Sequence, residues 1–505
     1  MGGYLSKLPF VVVLMGLSAL SMLLPAAVAL AQDDHFTSRV FFYSSILFLI
    51  VTGLVGFATQ NIQSTPTARQ HLVGLLLAYL TLPLMLAVPL DAALRNTSFI
   101  NAYVEMISSL TTTGASMFEP ERLAPAVHMW RAVVGWFGGF LIWVTAVAVF
   151  APLNLGGYEV TSEAQVQGAI SGSTSQMRAA SASDRLLRHA LKLWPIYVGL
   201  TALLWVLLIM AGELPLAAAI HAMSTLSTSG ISASGGMSGA QSGFLGEICI
   251  FAFFVFAVSR RSFTTPFGSE WFERMSRDRE LRLAVLAIVI LPTLLFARHW
   301  TAALEVDELG NISGAISALW GSVFSVLSFL TTTGFISESW SDARAWSGLQ
   351  TPGLILVGLA LMGGGVATTA GGVKLLRVYA LYKHGLREMG KLIHPHSVAN
   401  AGRLGRRIRR EGAYIAWIFF MLLILSMASI SALFAATGLS FEESIILTIS
   451  ALTTTGPLAE VAGSAPISYG KLSDTAKLLL SFAMVVGRIE TLVLIALFNP
   501  GFWRA

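Results

Sequence analysis

Long apolar runs separated by short polar segments dominate this chain. Ten runs of about 20 residues are long enough to cross a hydrocarbon core roughly 30 Å thick. They lie near 9–31, 38–59, 70–90, 130–152, 191–211, 243–259, 282–298, 350–370, 412–436 and 476–498. We expect helices, because lipid offers backbone N–H and C=O groups no partner and the runs are too continuous for barrel strands. The pattern predicts an all-α polytopic membrane protein with ten transmembrane helices.

Four shorter helical stretches lie between these spans, at 98–110, 214–226, 313–330 and 441–452. They are too short or too polar to be additional full spans. A helix that stops at mid-depth and returns as irregular backbone is tolerated in a membrane only where protein or water covers it. The predicted unit is therefore a span, a short re-entrant helix, a loop and a second span.

A threonine-rich motif that ends in glycine follows each short helix. We call these segments Thr-Gly loops 1 to 4: 109–114 (SLTTTG), 225–230 (TLSTSG), 329–334 (FLTTTG) and 451–456 (ALTTTG). A single copy is typical of a helix C-cap, because glycine accepts the left-handed conformation there. Four copies at a spacing of roughly 100 to 120 residues indicate a repeated structural unit instead.

The repeats suggest a division of the chain into five parts. Because each copy starts on the same side of the membrane, the four units are expected to be parallel repeats around a pseudo-fourfold axis along the membrane normal. The predicted parts are two N-terminal helices in 1–65, repeat 1 in 66–185, repeat 2 in 186–280, repeat 3 in 281–405 and repeat 4 in 406–505.

Composition and charge agree with a membrane protein. The 505 residues are 55% hydrophobic and 12% charged, and the mean hydropathy of +0.72 is far too high for a soluble globule. The net charge of +5 could indicate nucleic acid, but a basic excess in membrane proteins normally lies in cytoplasmic loops. We therefore expect a lipid bilayer and no nucleic acid as partner. Cys249 is the only cysteine, which excludes an intrachain disulfide and a thiolate metal site.

The basic residues also predict the orientation. Most of them lie in 153–190, 260–282 and 374–410, whereas the segments that contain the Thr-Gly loops hold few. The positive-inside rule makes the first group cytoplasmic, and ten spans then leave both termini in the cytoplasm. The run at 9–31 resembles a signal peptide, but it is longer than a usual apolar region of that kind and a second span follows directly. We expect it to be a retained helix.

The repeated loops suggest cation chemistry. Four such loops around one axis can present backbone carbonyls that replace the water around a dehydrated cation. The short helices would direct their negative C-terminal ends at the same place. Neutral oxygen ligands suit a monovalent ion better than a divalent one. The candidate ion-binding residues are Thr112, Thr113, Gly114, Thr228, Ser229, Gly230, Thr332, Thr333, Gly334, Thr454, Thr455 and Gly456.

Two further motifs accompany the loops. The sequence GGGVATTAGGVK occupies 363–374, which we call the glycine segment; GRIE occupies 487–490, followed by FNPGFW at 498–503. With the four loops, these motifs resemble the Trk/Ktr/HKT family of potassium transporters, and most closely its TrkH branch, over essentially the whole chain. In that family the glycine segment lies under the filter as an intramembrane gate.

The resemblance implies potassium uptake across the bacterial inner membrane. It also implies a homodimer and a cytosolic nucleotide-binding regulatory subunit of the TrkA type, with potassium as transported ion and no cofactor in this chain. By the same resemblance, Arg488 meets the gate from the opposite wall of the pore. Residues two apart on a helix do not face each other, so Glu490 is a poor partner for Arg488. The implied gate residues are Gly363, Gly364, Gly365, Thr368, Thr369, Gly371, Gly372 and Arg488.

Loops 2 and 4 depart from the other two. Loop 2 has serine in place of two threonines, and Pro457 follows loop 4. We therefore expect a pore that is only approximately fourfold. A sodium-permeable or ion-coupled monovalent cation symporter of the same fold stays open as the alternative.

Other functions find little support. A membrane-embedded enzyme needs a constellation of ionisable residues within the spans, and only Glu490 and Glu247 stand there, without a partner at catalytic spacing. The glycine segment has no βαβ unit around it for dinucleotide binding, and no phosphate loop of the GxxxxGK[ST] type occurs. His394 and His396 lack a third metal ligand.

Overall fold

A computed structural model describes residues 9–59, 68–151, 157, 182–264, 269–303, 312–347, 353–393 and 410–490. All regular structure in these residues is helical. The main helices are α1 Phe10–Ala31, with an irregular turn at Met22, α2 His35–Thr59, α3 Ala68–Leu94, α4 Phe99–Leu110, α5 Pro125–Thr145, α6 Ala182–Met210, α7 Pro215–Ser227, α8 Gly243–Val258, α9 Arg279–Ala303, α10 Ile312–Leu330, α11 Gly353–Met362, α12 Leu375–Ile393, α13 Arg410–Ala436, α14 Phe441–Leu452 and α15 Asp474–Ile489.

Shorter elements connect these helices. A π-helical turn, Ala146–Phe150, extends α5. Single turns or short helices lie at Pro120–Arg122, Met237–Gly239, Arg261–Thr264, Ser269–Ser276, Trp340–Ser347, Leu458–Val461 and Tyr469–Lys471.

The predicted spans are found as helices in the described part of the chain. Seven helices there are long and apolar enough to cross a membrane: α1, α2, α3, α5, α6, α9 and α13. The predicted spans at 243–259 and 350–370 correspond to the shorter apolar helices α8 and α11. The last predicted span contains α15, and its remainder from residue 491 onward lies outside the described residues. The chain is an all-helical, multi-pass membrane protein.

The four re-entrant helices are α4, α7, α10 and α14, and each begins and ends within about two residues of its prediction. The start of α14 is fixed by a capping box, in which Ser440 accepts from the Glu443 amide and Glu443 accepts from the Ser440 amide. Pro215 begins α7, where a missing N–H costs nothing. Each of the four helices ends directly at a Thr-Gly loop.

Glycines let the neighbouring spans approach the ends of these helices. A Cβ at Gly138 of α5 would overlap the Leu110 carbonyl, and a Cβ at Gly487 of α15 would overlap the Leu452 carbonyl. Leu110 and Leu452 hold equivalent positions in loops 1 and 4. The same small-residue contact therefore recurs in repeats 1 and 4, as expected for helices that pack closely in a membrane.

The two N-terminal helices pack against the first repeat. The Ser45 hydroxyl of α2 donates to the Ala19 carbonyl of α1 at 2.8 Å. Phe41 of α2 packs edge-on against Trp130 of α5, with ring centroids 5.7 Å apart. Helices α1 and α2 therefore pack against each other and, through Phe41, against α5.

Candidate functional site formed by the four Thr-Gly loops

The four Thr-Gly loops share one backbone conformation. The fourth residue of each loop is a threonine in the left-handed region, with φ of 54° at Thr112, 53° at Thr228, 57° at Thr332 and 54° at Thr454. A β-branched residue is strained there, and such strain persists only where the surroundings impose it. The final glycine is also left-handed in three loops, with φ of 74° at Gly114, 65° at Gly230 and 79° at Gly334. Gly456 of loop 4 does not share that conformation.

Equivalent hydrogen bonds attach each loop to the helix before it. The amide of the fifth loop residue donates to a carbonyl in the last helical turn: Thr113 to Ser108 (2.8 Å), Ser229 to Ser224 (3.0 Å), Thr333 to Ser328 (3.0 Å) and Thr455 to Ser450 (2.9 Å). Hydroxyl pairs reinforce the turn: Thr111 with Thr113 (2.8 Å), Ser227 with Ser229 (3.0 Å), Thr331 with Thr333 (3.1 Å) and Thr453 with Thr455 (3.2 Å). Serine in loop 2 thus preserves the hydroxyl contact that threonine makes elsewhere.

Contacts between the loops form a closed ring. A Cβ atom added at each final glycine would meet the next loop in chain order. It would overlap the Ser229 carbonyl at Gly114, the Thr333 carbonyl at Gly230 and the Ala115 amide at Gly456, and it would lie beside the Pro457 ring at Gly334. Loop 1 therefore meets loop 2, loop 2 meets loop 3, loop 3 meets the end of loop 4, and loop 4 returns to loop 1. Their threonine and serine residues are buried. The four loops surround a single axis.

Two carboxylates brace the segments that follow the loops. Glu105 of α4 accepts from the Met117 amide at 2.6 Å and pairs with the Arg131 guanidinium at 2.5 Å. Glu247, which the sequence placed within a span without a partner, accepts from Trp320 at 2.6 Å and from the Glu338 amide at 2.7 Å. Both residues are buried, and both hold the outgoing chain against its re-entrant helix.

The glycine segment lies under the ring of loops. It interrupts the apolar run between α11 and α12, and its ends are joined by hydrogen bonds from the Val373 and Lys374 amides back to α11. The Gly371 amide donates to the Thr332 hydroxyl at 2.7 Å, and the Thr369 hydroxyl donates to the Leu226 carbonyl at 3.1 Å. The segment therefore contacts loops 2 and 3 directly.

Gly371 also brings the segment against loop 4. A Cβ at this position would overlap the Thr453 carbonyl and the Thr454 hydroxyl. Only glycine allows so close an approach of two backbones. All of these contacts lie at the threonine end of the loops and not at the final glycines, so the segment covers one end of the ring.

Charged side chains fasten the glycine segment. Arg488 of α15 donates to the Thr369 carbonyl at 2.8 Å, and the Lys374 ammonium donates to the Ala370 carbonyl. Glu280, near the start of α9, accepts from the Val366 amide at 2.7 Å. The segment is thus tied to two helices from different repeats.

Glu490 pairs with Arg377 and not with Arg488, as its spacing from Arg488 predicts. The Arg377–Glu490 distance is 2.8 Å, and the Arg377 guanidinium lies 3.9 Å from the centre of the Phe419 ring. Lys374 and Arg377, which the sequence grouped with the basic cytoplasmic segment, are both buried.

Sequence reasoning did not find several of these residues. Glu280 and Arg377 became part of the site only through the fold, and so did Tyr469, whose hydroxyl donates to the Gly456 carbonyl at 2.7 Å. One feature of the sequence could have indicated them: they are ionisable residues beside apolar runs. Such residues in membrane proteins usually have a specific partner. Among the described residues no group of three or more His, Cys, Asp or Glu could hold a metal ion. His394, His396 and the motif at 498–503 lie outside those residues.

Comparisons with known proteins agree with this architecture. The Trk system potassium uptake protein TrkH of Vibrio parahaemolyticus is 28% identical over 501 residues, covering 97% of this chain and 98% of that protein. TrkH of Halomonas elongata is 31% identical over 430 residues, covering 84% and 82%. The crystal structure of the potassium transporter TrkH from Vibrio parahaemolyticus superposes with a TM-score of 0.81, at 25% identity and with full coverage of both chains.

The sequence model of the TrkH family, described as cation transport protein, matches residues 37–238 and 281–503. These matches include all four Thr-Gly loops, the glycine segment and Arg488. The chain therefore belongs to the TrkH family of cation transport proteins.

Proposed function

We propose that this protein mediates potassium uptake across the bacterial inner membrane through a channel-like pore along the axis of the four Thr-Gly loops. The closed ring of contacts among the loops is the observation that carries this proposal. The similar proteins are named for potassium uptake, which supports the choice of ion. The twelve ion-binding residues are those that the sequence nominates in the loops, from Thr112 to Gly456.

The chemistry of the ring favours a monovalent cation. None of the twelve residues carries a formal charge, so their carbonyl and hydroxyl oxygens offer neutral ligands. Four helices end at the ring, and the partial negative charge of each C-terminus stabilises a cation on the axis. A divalent ion with its tightly held water would need carboxylates that these loops lack.

The glycine segment acts as a gate in this proposal. Its bonds to Thr332, Leu226 and Arg488 hold it across the path below the ring. Glycine and small residues make such a segment easy to rearrange. Opening then requires the contacts of Thr369 and Gly371 to break together. The gate residues proposed are Gly363, Gly364, Gly365, Thr368, Thr369, Gly371, Gly372 and Arg488.

The wider arrangement follows the sequence pattern. We assign two N-terminal helices and four parallel repeats, with the boundaries predicted above, and place both termini in the cytoplasm. The basic segments around 153–190, 260–282 and 374–410 then face a cytosolic partner. A homodimer that docks a nucleotide-binding regulator of the TrkA type fits the Trk system named for the similar proteins.

Ion flux from purified protein in liposomes tests the function. Uptake of potassium, rubidium, sodium and caesium is compared under equal gradients, with protein-free liposomes as control. We expect potassium and rubidium to be carried well and sodium poorly. Sodium flux equal to that of potassium, or flux that needs a proton or sodium gradient, would instead support the symporter alternative. The departures in loop 2 and at Gly456 are the observations that favour that alternative.

A further inference from the structure

Pro457, directly after loop 4, lies beside the final glycines of two other loops. The Cβ position of Gly230 is 3.0 Å from the Pro457 Cγ atom, and that of Gly334 is 3.1 Å from the same ring. Loop 3 is the neighbour of loop 4 in the ring, but loop 2 stands across the axis from it. The contact with loop 2 therefore places the Pro457 side chain on the side of loop 4 that faces the axis.

The corresponding residues of the other loops are more deeply buried than Pro457. Ala115, Ile231 and Phe335 follow loops 1, 2 and 3, and each is only 1% exposed. Phe335 packs against His221 with ring centroids 5.8 Å apart, and Ile231 lies beside Gly135 of α5. Pro457, by contrast, is half-buried. The fourth repeat thus places the apolar pyrrolidine ring of Pro457, less deeply buried than its three counterparts, beside the final glycines of loops 2 and 3.

The backbone of Gly456 explains how this position is reached. Its amide donates to the Thr113 carbonyl of loop 1 at 2.5 Å. Its carbonyl accepts from the Tyr469 hydroxyl at 2.7 Å and from the Ala459 amide at 3.1 Å. The Gly456 carbonyl is therefore held by Tyr469 and Ala459, and the Gly456 amide is held by the Thr113 carbonyl of loop 1. Loop 4 therefore differs from the other three loops at its final glycine.

We propose that Pro457 forms a constriction across the end of the pore remote from the glycine segment, and that Tyr469 holds it there. The proposal rests on the proposed function, because it needs ions to move along this axis. An apolar ring on the axis offers a dehydrating cation no ligand, and it narrows the passage. Pro457 thereby limits flux and discriminates against larger cations, whose passage requires a larger displacement of loop 4.

Replacement of the proline tests the constriction. Pro457 has φ −60° and ψ −11°, which alanine adopts without strain, so Pro457→Ala removes the ring and keeps the backbone. Initial rates of potassium, rubidium and caesium uptake are measured in liposomes. We expect a several-fold rise in flux, largest for caesium, so that the caesium-to-potassium ratio increases. Ile231→Val, at the equivalent position of loop 2, is the control and is expected to leave rates and ratio unchanged.

A second variant keeps the test decisive if Pro457→Ala does not fold. Tyr469→Phe removes the hydroxyl that holds the Gly456 carbonyl and that also bonds to the Ser450 hydroxyl. The pyrrolidine ring of Pro457 stays but becomes more mobile, and flux should again rise. Unchanged rates and an unchanged caesium-to-potassium ratio in correctly inserted Pro457→Ala, or unchanged flux in Tyr469→Phe if only that variant folds, would overturn the constriction. If wild-type protein itself carried no potassium, the proposed function would fail instead, so the two failures are distinct.

Discussion

Gly334 shows how little room the ring leaves for a side chain. Its φ of 79° is unfavourable for any other residue, and the Pro457 ring lies 3.1 Å from its Cβ position. Gly334→Ser therefore pushes loop 3 away from loop 4 and disturbs the carbonyls on both sides. We expect the potassium-over-sodium preference to fall before folding is affected, measured as the ratio of uptake rates in liposomes.

Gly212 supplies the matched control for this substitution. It is also left-handed, with φ of 96°, but nothing lies within 4 Å of its Cβ position. Gly212→Ser thus imposes the same backbone strain, about 1–2 kcal/mol, without a clash at the ring. Its ion preference should match that of the wild type. An unaltered preference in Gly334→Ser would show that loop 3 does not select the ion.

Arg488 combines a charge and a hydrogen bond at the glycine segment. A buried cation near the middle of a membrane costs about 2.5–3.5 kcal/mol on insertion scales, so its presence requires a compensating role. Arg488→Ala removes the bond to the Thr369 carbonyl and a positive charge beside the proposed path of the cation. We expect faster potassium flux from the reconstituted variant.

The lysine variant separates the two contributions of Arg488. Arg488→Lys keeps the charge but cannot reproduce the planar guanidinium geometry, so its flux should lie between those of the wild type and Arg488→Ala. Potassium flux from a correctly inserted Arg488→Ala protein that is equal to or below wild type would leave the residue a structural role only.

At the scale of elements, the glycine segment is a loop between α11 and α12 whose two ends are hydrogen-bonded to each other. The amides of Val373 and Lys374 donate to Leu361 and Met362, so the two ends of the segment are joined below its tip. Deletion of 367–370 removes the tip and the Thr369 contacts, and leaves this base in place. We expect higher potassium flux in the absence of any regulatory partner, measured in liposomes.

A point variant supports the interpretation of that deletion. Thr369→Val keeps the shape of the side chain but removes the hydroxyl bond to the Leu226 carbonyl, so a smaller increase in flux should follow. If the deletion abolished flux in well-folded protein, the segment would be part of the conducting path and not its gate.

The re-entrant helices were predictable, whereas the anchors of the glycine segment were not. Helix α14 ends where the sequence predicts, because the change from an apolar helix to a Thr-Gly loop is visible in neighbouring residues. Glu280 and Val366 are 86 residues apart, and Arg488 and Thr369 are 119 apart. No local pattern reports such pairs, since only the packing of helices α9 and α15 against the glycine segment brings them together.

The difference between loop 4 and the other loops was predictable only in part. Pro457 in the sequence indicates that the fourth loop differs from the first and third. The position of the Pro457 pyrrolidine ring, however, depends on Tyr469, which lies 13 residues after Gly456 and holds its carbonyl. A local signal therefore predicts that symmetry is broken, and the tertiary contact determines how.

At the scale of the whole molecule, the proposed site on the axis would let one ion contact all four repeats. A ligand that binds only the folded protein stabilises it by about 2.7 kcal/mol when present at 100 times its Kd. The loops that bind the ion come from four separate parts of the chain, so binding should oppose the separation of the repeats during unfolding. We expect the Tm of the detergent-solubilised protein to rise with potassium concentration, and to rise less with sodium at equal ionic strength.

The glycine variants determine whether this stabilisation comes from the ring. Gly334→Ser should lose most of the potassium-dependent rise in Tm, because its third loop can no longer align with its neighbours. Gly212→Ser, with its strain far from any side chain, should start from a lower Tm but keep the full rise. An equal rise in both variants would mean that potassium stabilises the protein elsewhere, and that the four loops do not form its binding site.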